Sequence, residues 1–265
     1  MGNKSKNKDY LVQGTILVAA SFIARIIGMV YRIPLKNILG TEGIGYYSTA
    51  NELYNIILMV SSFSIPLAVS RMVSERLHAG EQKNAYRVFK CAMRFAIAVG
   101  AAMSIVTFLF AGVITKYAMK AENASYALRV LAPAIFLFAI TGVFRGFFQG
   151  KKTMVPTAFS QIVEQIVNAV VSVAASYLFM KWNIESVQQA AWGAAGGTLG
   201  TCLGAASALL IVLFVYWLYK PVQEKLERRD PSTRTYSEKY LFKLLLITII
   251  PIVPDGIQYQ WSDRL

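Results

Sequence analysis

Apolar residues fall into long runs separated by short polar connections. About 20 apolar residues are what an α-helix needs to cross a bilayer. Six runs reach that length, 11–35, 46–69, 95–117, 126–148, 156–180 and 190–219, and each is expected to be a transmembrane helix. The run 156–180 organises the others. Its Gln161, Gln165, Asn168, Ser172 and Ser176 recur at i, i+4, i+7, i+11 and i+15, so at 100° per residue they share one side. Glu164 sits at the edge of that stripe, and the opposite face is Ile, Val, Ala and Leu. An ionisable side chain near the bilayer centre costs about 2.5–3.5 kcal/mol on insertion scales, so such residues face a bundle interior or a wet cavity. A polar path between helices is expected.

The other runs carry their own patterns. In the first, Arg25 and Arg32 are two turns apart on one face, with Gly14, Ser21 and Gly28 on or beside it. The run is too long for a signal-peptide core, so it reads as an uncleaved span. Arg25 lies well inside it, whereas Arg32 has the alternative of a snorkelling end residue. In the second, Ser48, Glu52, Asn55, Ser62 and Pro66 form a wet face; Pro66 is expected to bend the helix, and Glu52 has an interfacial alternative. The third run has almost no polar residues and reads as lipid-facing scaffold. In the fourth, Thr141, Arg145 and Gln149 follow at one-turn intervals, and Arg145 stands among aromatics either as an interface anchor or as part of the site. In the sixth, Gly193, Gly196, Gly197, Gly200 and Gly204 form overlapping small-xxx-small pairs, most simply a helix-packing surface.

The organisation expected is therefore a six-helix transmembrane lobe over 1–219, a cytoplasmic basic linker over 220–239, and the start of a second lobe over 240–265. The run 241–253 is too short to span, and the chain reads as truncated or frame-shifted there; a half-span tucked against the bundle is the alternative.

Composition narrows the function classes. Hydrophobic residues make up 55% and charged residues 15%, with mean hydropathy +0.46, far from a soluble domain. Cys91 and Cys202 lie in separate runs, His78 is the only histidine, and all four aspartates lie outside the runs. No hydrolytic triad or metal motif is formed, so neither an enzyme nor a cofactor is expected. The net charge of +13 would suit nucleic acid if it were not placed by the membrane. The leader, the amphipathic 71–94 connection with its turn at Ala79 and Gly80, the 145–152 connection and the 220–243 segment hold nineteen Lys and Arg; the opposite side holds six. Positive-inside bias puts the N-terminus in the cytoplasm, and no nucleic-acid partner is needed.

The stretches ARIIGMVYRIPLKNILGTEGIGYYSTANELYNI, IPLAVSRMVSERLHAG and FRGFFQGKKTMVPTAFSQIVEQIVN resemble the N-terminal half of the flippases of the multidrug/oligosaccharidyl-lipid/polysaccharide (MOP) superfamily. The nearest branch is the stage V sporulation protein B group of Gram-positive bacteria, related to the lipid II flippases. The resemblance implies an all-α polytopic protein of the bacterial cell membrane, with fourteen spans in two lobes around a cavity. This chain would then be one lobe plus a truncated seventh span, with the C-terminal lobe as its missing partner. It also implies that first-span arginines, here Arg25 and Arg32, meet a substrate pyrophosphate, although their spacing differs by one. A further second-span arginine of that family falls on an apolar position within NIILMV. Guanidinium suits the task because it binds phosphate oxygens bidentately and stays charged when desolvated.

The function expected is flipping of an undecaprenyl-pyrophosphate-linked sugar or peptidoglycan precursor by alternating access, with membrane lipids around it. The substrate-binding set is Arg25, Arg32, Glu52, Asn55, Arg145, Gln161, Glu164, Gln165 and Asn168. One alternative is a cation-coupled multidrug exporter using Glu52 or Glu164 as a proton or Na⁺ site, against which the paired arginines would repel cationic drugs. Another is a non-transport assembly factor, which leaves the intramembrane charges without a purpose.

Overall fold

A computed structural model describes the backbone of residues 2–249 except 63, 185, 187, 231 and 233–235, and the side chains from Val12 onward except also residue 60. The chain is a helical membrane protein. Its helices are α1 (Gly2–Val30), α2 (Arg32–Ser61), α3 (Ile65–His78), α4 (Gln82–Met119), α5 (Ser125–Gly150), α6 (Val155–Trp182), α7 (Gln189–Arg228) and α8 (Glu238–Ile249). Among the described residues, five stretches are long and apolar enough to cross a membrane: Val12–Val30, Gln82–Met119, Glu122–Gly150, Val155–Trp182 and Gln189–Arg228.

The second expected span is the exception. It does not bend at Pro66 but stops: α2 ends at Ser61 and Pro66 stands in the first turn of α3, where its missing N–H costs nothing. A further break lies at Gly40, whose φ of 66° and ψ of −171° interrupt α2 and separate 32–39 from the longer arm. The boundary between the first two spans also moves. The N–H of Tyr31 still donates to the carbonyl of Ile27 at 3.2 Å, and α2 begins at Arg32. At the other end α7 runs past residue 219 to Arg228, so the first nine residues of the expected linker are helical. The expected turn at Ala79 and Gly80 is present, with Gly80 at φ 77°. The run 241–253 appears as α8 up to Ile249, and its remaining residues lie outside the described ones.

Packing centres on α5, the most buried of the five spanning stretches. Small residues let it sit there. Gly142, Gly146 and Gly150 recur every fourth position toward α3, and a Cβ on Gly146 would come within 2.5 Å of the carbonyl oxygen of Pro66. The glycines of α7 do the same against α6, where a Cβ on Gly196 would lie 2.6 Å from the Ala175 carbonyl oxygen. Close approach lets Ser172 and Ser176 of α6 reach the carbonyls of Gly197 (2.6 Å) and Gly193 (3.0 Å). The polar stripe of α6 is thus partly adhesive. An aromatic knot of Phe89, Phe144, Phe147 and Tyr216 joins α4, α5 and α7. Leu241 and Leu245 bury α8 in the same core, and Arg94 grips Glu238 through two bonds of 2.7 Å. The α1 helix, by contrast, packs mainly on α6, and its Val12–Val30 stretch leaves most of its surface open.

Candidate functional site

A cavity of about 790 Å³ opens between α1, α2 and α6. The α1 wall supplies Ala24, Arg25, Gly28 and Met29, followed by Tyr31 between the helices; α2 supplies Arg32, Asn51, Tyr54, Asn55, Leu58 and Met59. Glu164, Gln165 and Asn168 of α6 face them, and Phe138 of α5 and Thr201 of α7 close the remainder. The α1 wall is held by polar contacts along its seam with α6. Ser21 donates to Gln161 Oε1 at 3.3 Å, and Gln13 Oε1 accepts from the backbone N–H of Met154 at 2.7 Å.

Its electrostatics are one-sided. Glu164 Oε2 receives Arg145 Nη2 at 2.7 Å, and Arg145 Nε donates to Ser160 Oγ at 3.0 Å. Arg145 is only 7% exposed, so it is not an interface anchor: it is a buried cation neutralising the carboxylate of the cavity wall. Arg25 and Arg32 are exposed and make no ion pair with any described residue. With Glu164 compensated, the cavity carries the charge of two free guanidiniums.

A buried hydrogen-bond network underlies the same cavity. Tyr31 and Tyr47 share a hydroxyl contact of 2.8 Å, and Asn168 Nδ2 donates to the Tyr31 hydroxyl at 3.4 Å. Asn168 Oδ1 accepts from Thr201 Oγ1 at 3.3 Å and lies 2.9 Å from Ser172 Oγ, whose single proton is shared with the Gly197 carbonyl. Asn168 is therefore held by Tyr31 at the α1–α2 junction, by α6 and by α7 together, which fixes its amide as part of the wall.

Of the residues singled out in the sequence, Arg25, Arg32, Asn55, Glu164, Gln165 and Asn168 meet in the cavity lining. Arg145 stands behind Glu164, and Gln161 stands in the α1–α6 seam. Glu52 is exposed and lies outside the lining; Asn51 takes the place on α2 that the periodicity was expected to give it. Tyr31, Tyr54 and Thr201 were not anticipated. Asn51 had a signal, being one turn before Asn55, but the choice between registers 51/55 and 48/52/55 needs the packed neighbours.

Among curated proteins the chain is 29% identical over 214 residues to stage V sporulation protein B of Bacillus subtilis, covering 80% of this chain and 40% of that protein. It is 29% identical over 217 residues to the lipid II flippase MurJ of the same organism, covering 78% and 39%. The chain thus spans less than half the length of these relatives. Its fold is that of a MOP superfamily transporter of Pyrococcus furiosus (TM-score 0.67, 16% identity, 89% of this chain and 50% of that one). A multidrug resistance MATE family transporter of the MOP superfamily, in an outward-facing conformation, matches similarly (TM-score 0.67, 16% identity, 88% and 49%). The polysaccharide biosynthesis protein family matches residues 11–253, nearly the whole chain, and the chain belongs to that family.

Proposed function

We propose that this chain forms the N-terminal lobe of an alternating-access flippase that moves an undecaprenyl-pyrophosphate-linked sugar across the bacterial cytoplasmic membrane. The observation that carries the reading is the cavity charge: Arg25 and Arg32 face it unpaired, while Glu164 is already neutralised by Arg145. Arg25, held inside the Val12–Val30 stretch at a cost of up to about 2.5–3.5 kcal/mol, and Arg32, just beyond that stretch on the same cavity, call for an anionic ligand. A pyrophosphate offers each a bidentate partner. Asn51, Asn55, Gln165 and Asn168 provide amide donors and acceptors for sugar hydroxyls, and Tyr31 and Tyr54 provide ring faces. The lipid tail stays in the bilayer beside the open face of α1.

In this reading six spans form the lobe, the longer arm of α2 being the sixth, and the N-terminus lies in the cytoplasm. The basic stretch before α8 leads toward a second lobe, which supplies the opposite cavity wall. A cation-coupled exporter would need a free carboxylate in the cavity; Glu164 is spoken for. The test is translocation of a labelled lipid-linked sugar in vesicles by the two-lobed transporter. Arg25→Ala is expected to abolish flipping while the protein still inserts, and Arg25→Lys to keep part of the rate. Normal flipping by Arg25→Ala would overturn the assignment.

A further inference from the structure

A second cleft, of about 360 Å³, lies where α3, α5 and α7 end or leave the bundle, and it shares no lining residue with the central cavity. Its apolar wall includes Leu77, Phe148, Val215 and Leu226, and its polar groups include Gln82 and Lys151. The volume is that of a small-molecule site. Two features of it have no internal explanation.

The first is Lys151. Its ammonium is half-buried and donates to the Tyr219 hydroxyl at 2.9 Å and to Gln223 Oε1, while sitting over the rings of Phe147 (4.9 Å) and Tyr219 (4.7 Å). All four groups are neutral. Glu227, whose charge partly favours the ammonium, accepts from Gln223 Nε2 at 2.9 Å and makes no ion pair with Lys151. Burial accordingly pushes the amine down from 10.5 to about 8, a strain that an anion would relieve. The second is Gln82, whose Oε1 is buried without a hydrogen-bond partner. An unpaired acceptor lining the same cleft as a cation without an ion-pair partner asks for a ligand carrying both an anionic oxygen and a hydroxyl.

The surroundings indicate where that ligand comes from. Lys151 lies in the turn between α5 and α6, at the end of two spanning stretches, and Trp217, at the same height on the face of α7 turned away from the cleft, is 68% exposed, as in an interfacial belt. Lys83, Arg87, Lys90 and Arg228 line a neighbouring cleft with Glu224 and Glu227, a net positive surface that suits an anionic leaflet. We propose that this cleft binds an anionic phospholipid of the phosphoglycerol type, its phosphate meeting Lys151, its head-group hydroxyl meeting Gln82, and its first methylenes lying along Leu77, Phe148, Val215 and Leu226. So placed, the lipid staples the α3–α4 connection to α5 and α7.

The test uses the purified chain in detergent, with lipid retention read by native mass spectrometry and melting followed by circular dichroism. Phosphatidylglycerol is expected to be retained about tenfold or more over phosphatidylcholine, the ratio that one charge-assisted hydrogen bond supports, and to raise the melting temperature. Lys151→Met should abolish that preference and Lys151→Arg should keep it, both with wild-type helicity. Soluble glycerol phosphate should neither shift melting nor compete. Equal retention of the two lipids, or an unchanged preference in Lys151→Met, would overturn the proposal. Competition by glycerol phosphate at lipid-like concentrations would overturn it too, making the cleft a site for soluble phosphate esters. Should Lys151→Met not fold, Gln82→Leu decides: it should weaken phosphatidylglycerol and leave phosphatidylcholine untouched, and no effect would count against the site.

Discussion

Glu164→Gln tests the charge arrangement of the cavity wall. It keeps the size of the side chain and removes the charge that compensates Arg145. The ion pair is short, 2.7 Å, and its side chains are 8% and 18% exposed. Removing one partner of a fully buried pair costs about 3–5 kcal/mol, because the remaining charge is left uncompensated. Here Glu164 borders a wet cavity and Arg145 keeps its bond to Ser160, so the expected loss is smaller, about 2–3 kcal/mol. Arg145→Met should cost less, since the carboxylate left behind can be hydrated from the cavity. Exchanging both, Arg145→Met with Glu164→Gln, should recover much of the loss, because no buried charge is then left without its partner. The assay is reversible unfolding in mixed micelles followed by circular dichroism, run as a double-mutant cycle. The expected coupling is about 1–3 kcal/mol, and a value below about 0.5 kcal/mol would mean that the two side chains do not act as a pair.

Gly196→Leu should separate α6 from α7, because even a Cβ at that position would meet the Ala175 carbonyl at 2.6 Å; a loss of about 1–3 kcal/mol or more and a broadened elution profile are expected, and wild-type stability would refute the tight packing. Docking of α8 should depend on Leu241 far more than on Arg94: burial predicts a loss of about 2–5 kcal/mol for Leu241→Ala, whereas the solvent-screened ion pair to Glu238 predicts little change for Arg94→Ala. Limited proteolysis near residue 230 reads the difference, and the reverse order would contradict it. Because Lys151 binds its proton less tightly when folded, the unfolded state holds more protons between about pH 8 and 10.5, so stability should gain a rising contribution across that window. Subtracting the pH profile of Lys151→Met should isolate it, and identical slopes would refute it.

The helices were largely legible because transmembrane length and amphipathic period are local properties. The α6 stripe pointed directly at Glu164, Gln165 and Asn168, and the α7 glycines pointed at close packing. What was hidden is pairwise and long-range. Nothing in the order of residues joins Arg145 to a carboxylate nineteen positions away on the next helix, or Lys83 to Asp230, whose carboxylate accepts its backbone N–H at 2.7 Å. On α2 both Glu52 and Asn51 fit a helical face, and only the neighbouring helices choose between them. Pro66 is compatible with a bend or a break. Its place beneath Gly142 and Gly146 of α5 goes with the break, since the start of α3 then packs against that glycine face.

The central claim, that the two unpaired arginines recognise a pyrophosphate, is tested most directly by equilibrium binding of undecaprenyl pyrophosphate and undecaprenol to the purified chain in nanodiscs. The two ligands share a tail and differ only at the head. Two charge-assisted contacts predict that the pyrophosphate binds about a hundredfold tighter or more. The Arg25→Ala, Arg32→Ala double variant should erase that difference while binding undecaprenol as before. Equal affinity for the two ligands in the unaltered chain, or a preference that survives the loss of both arginines, would contradict the account.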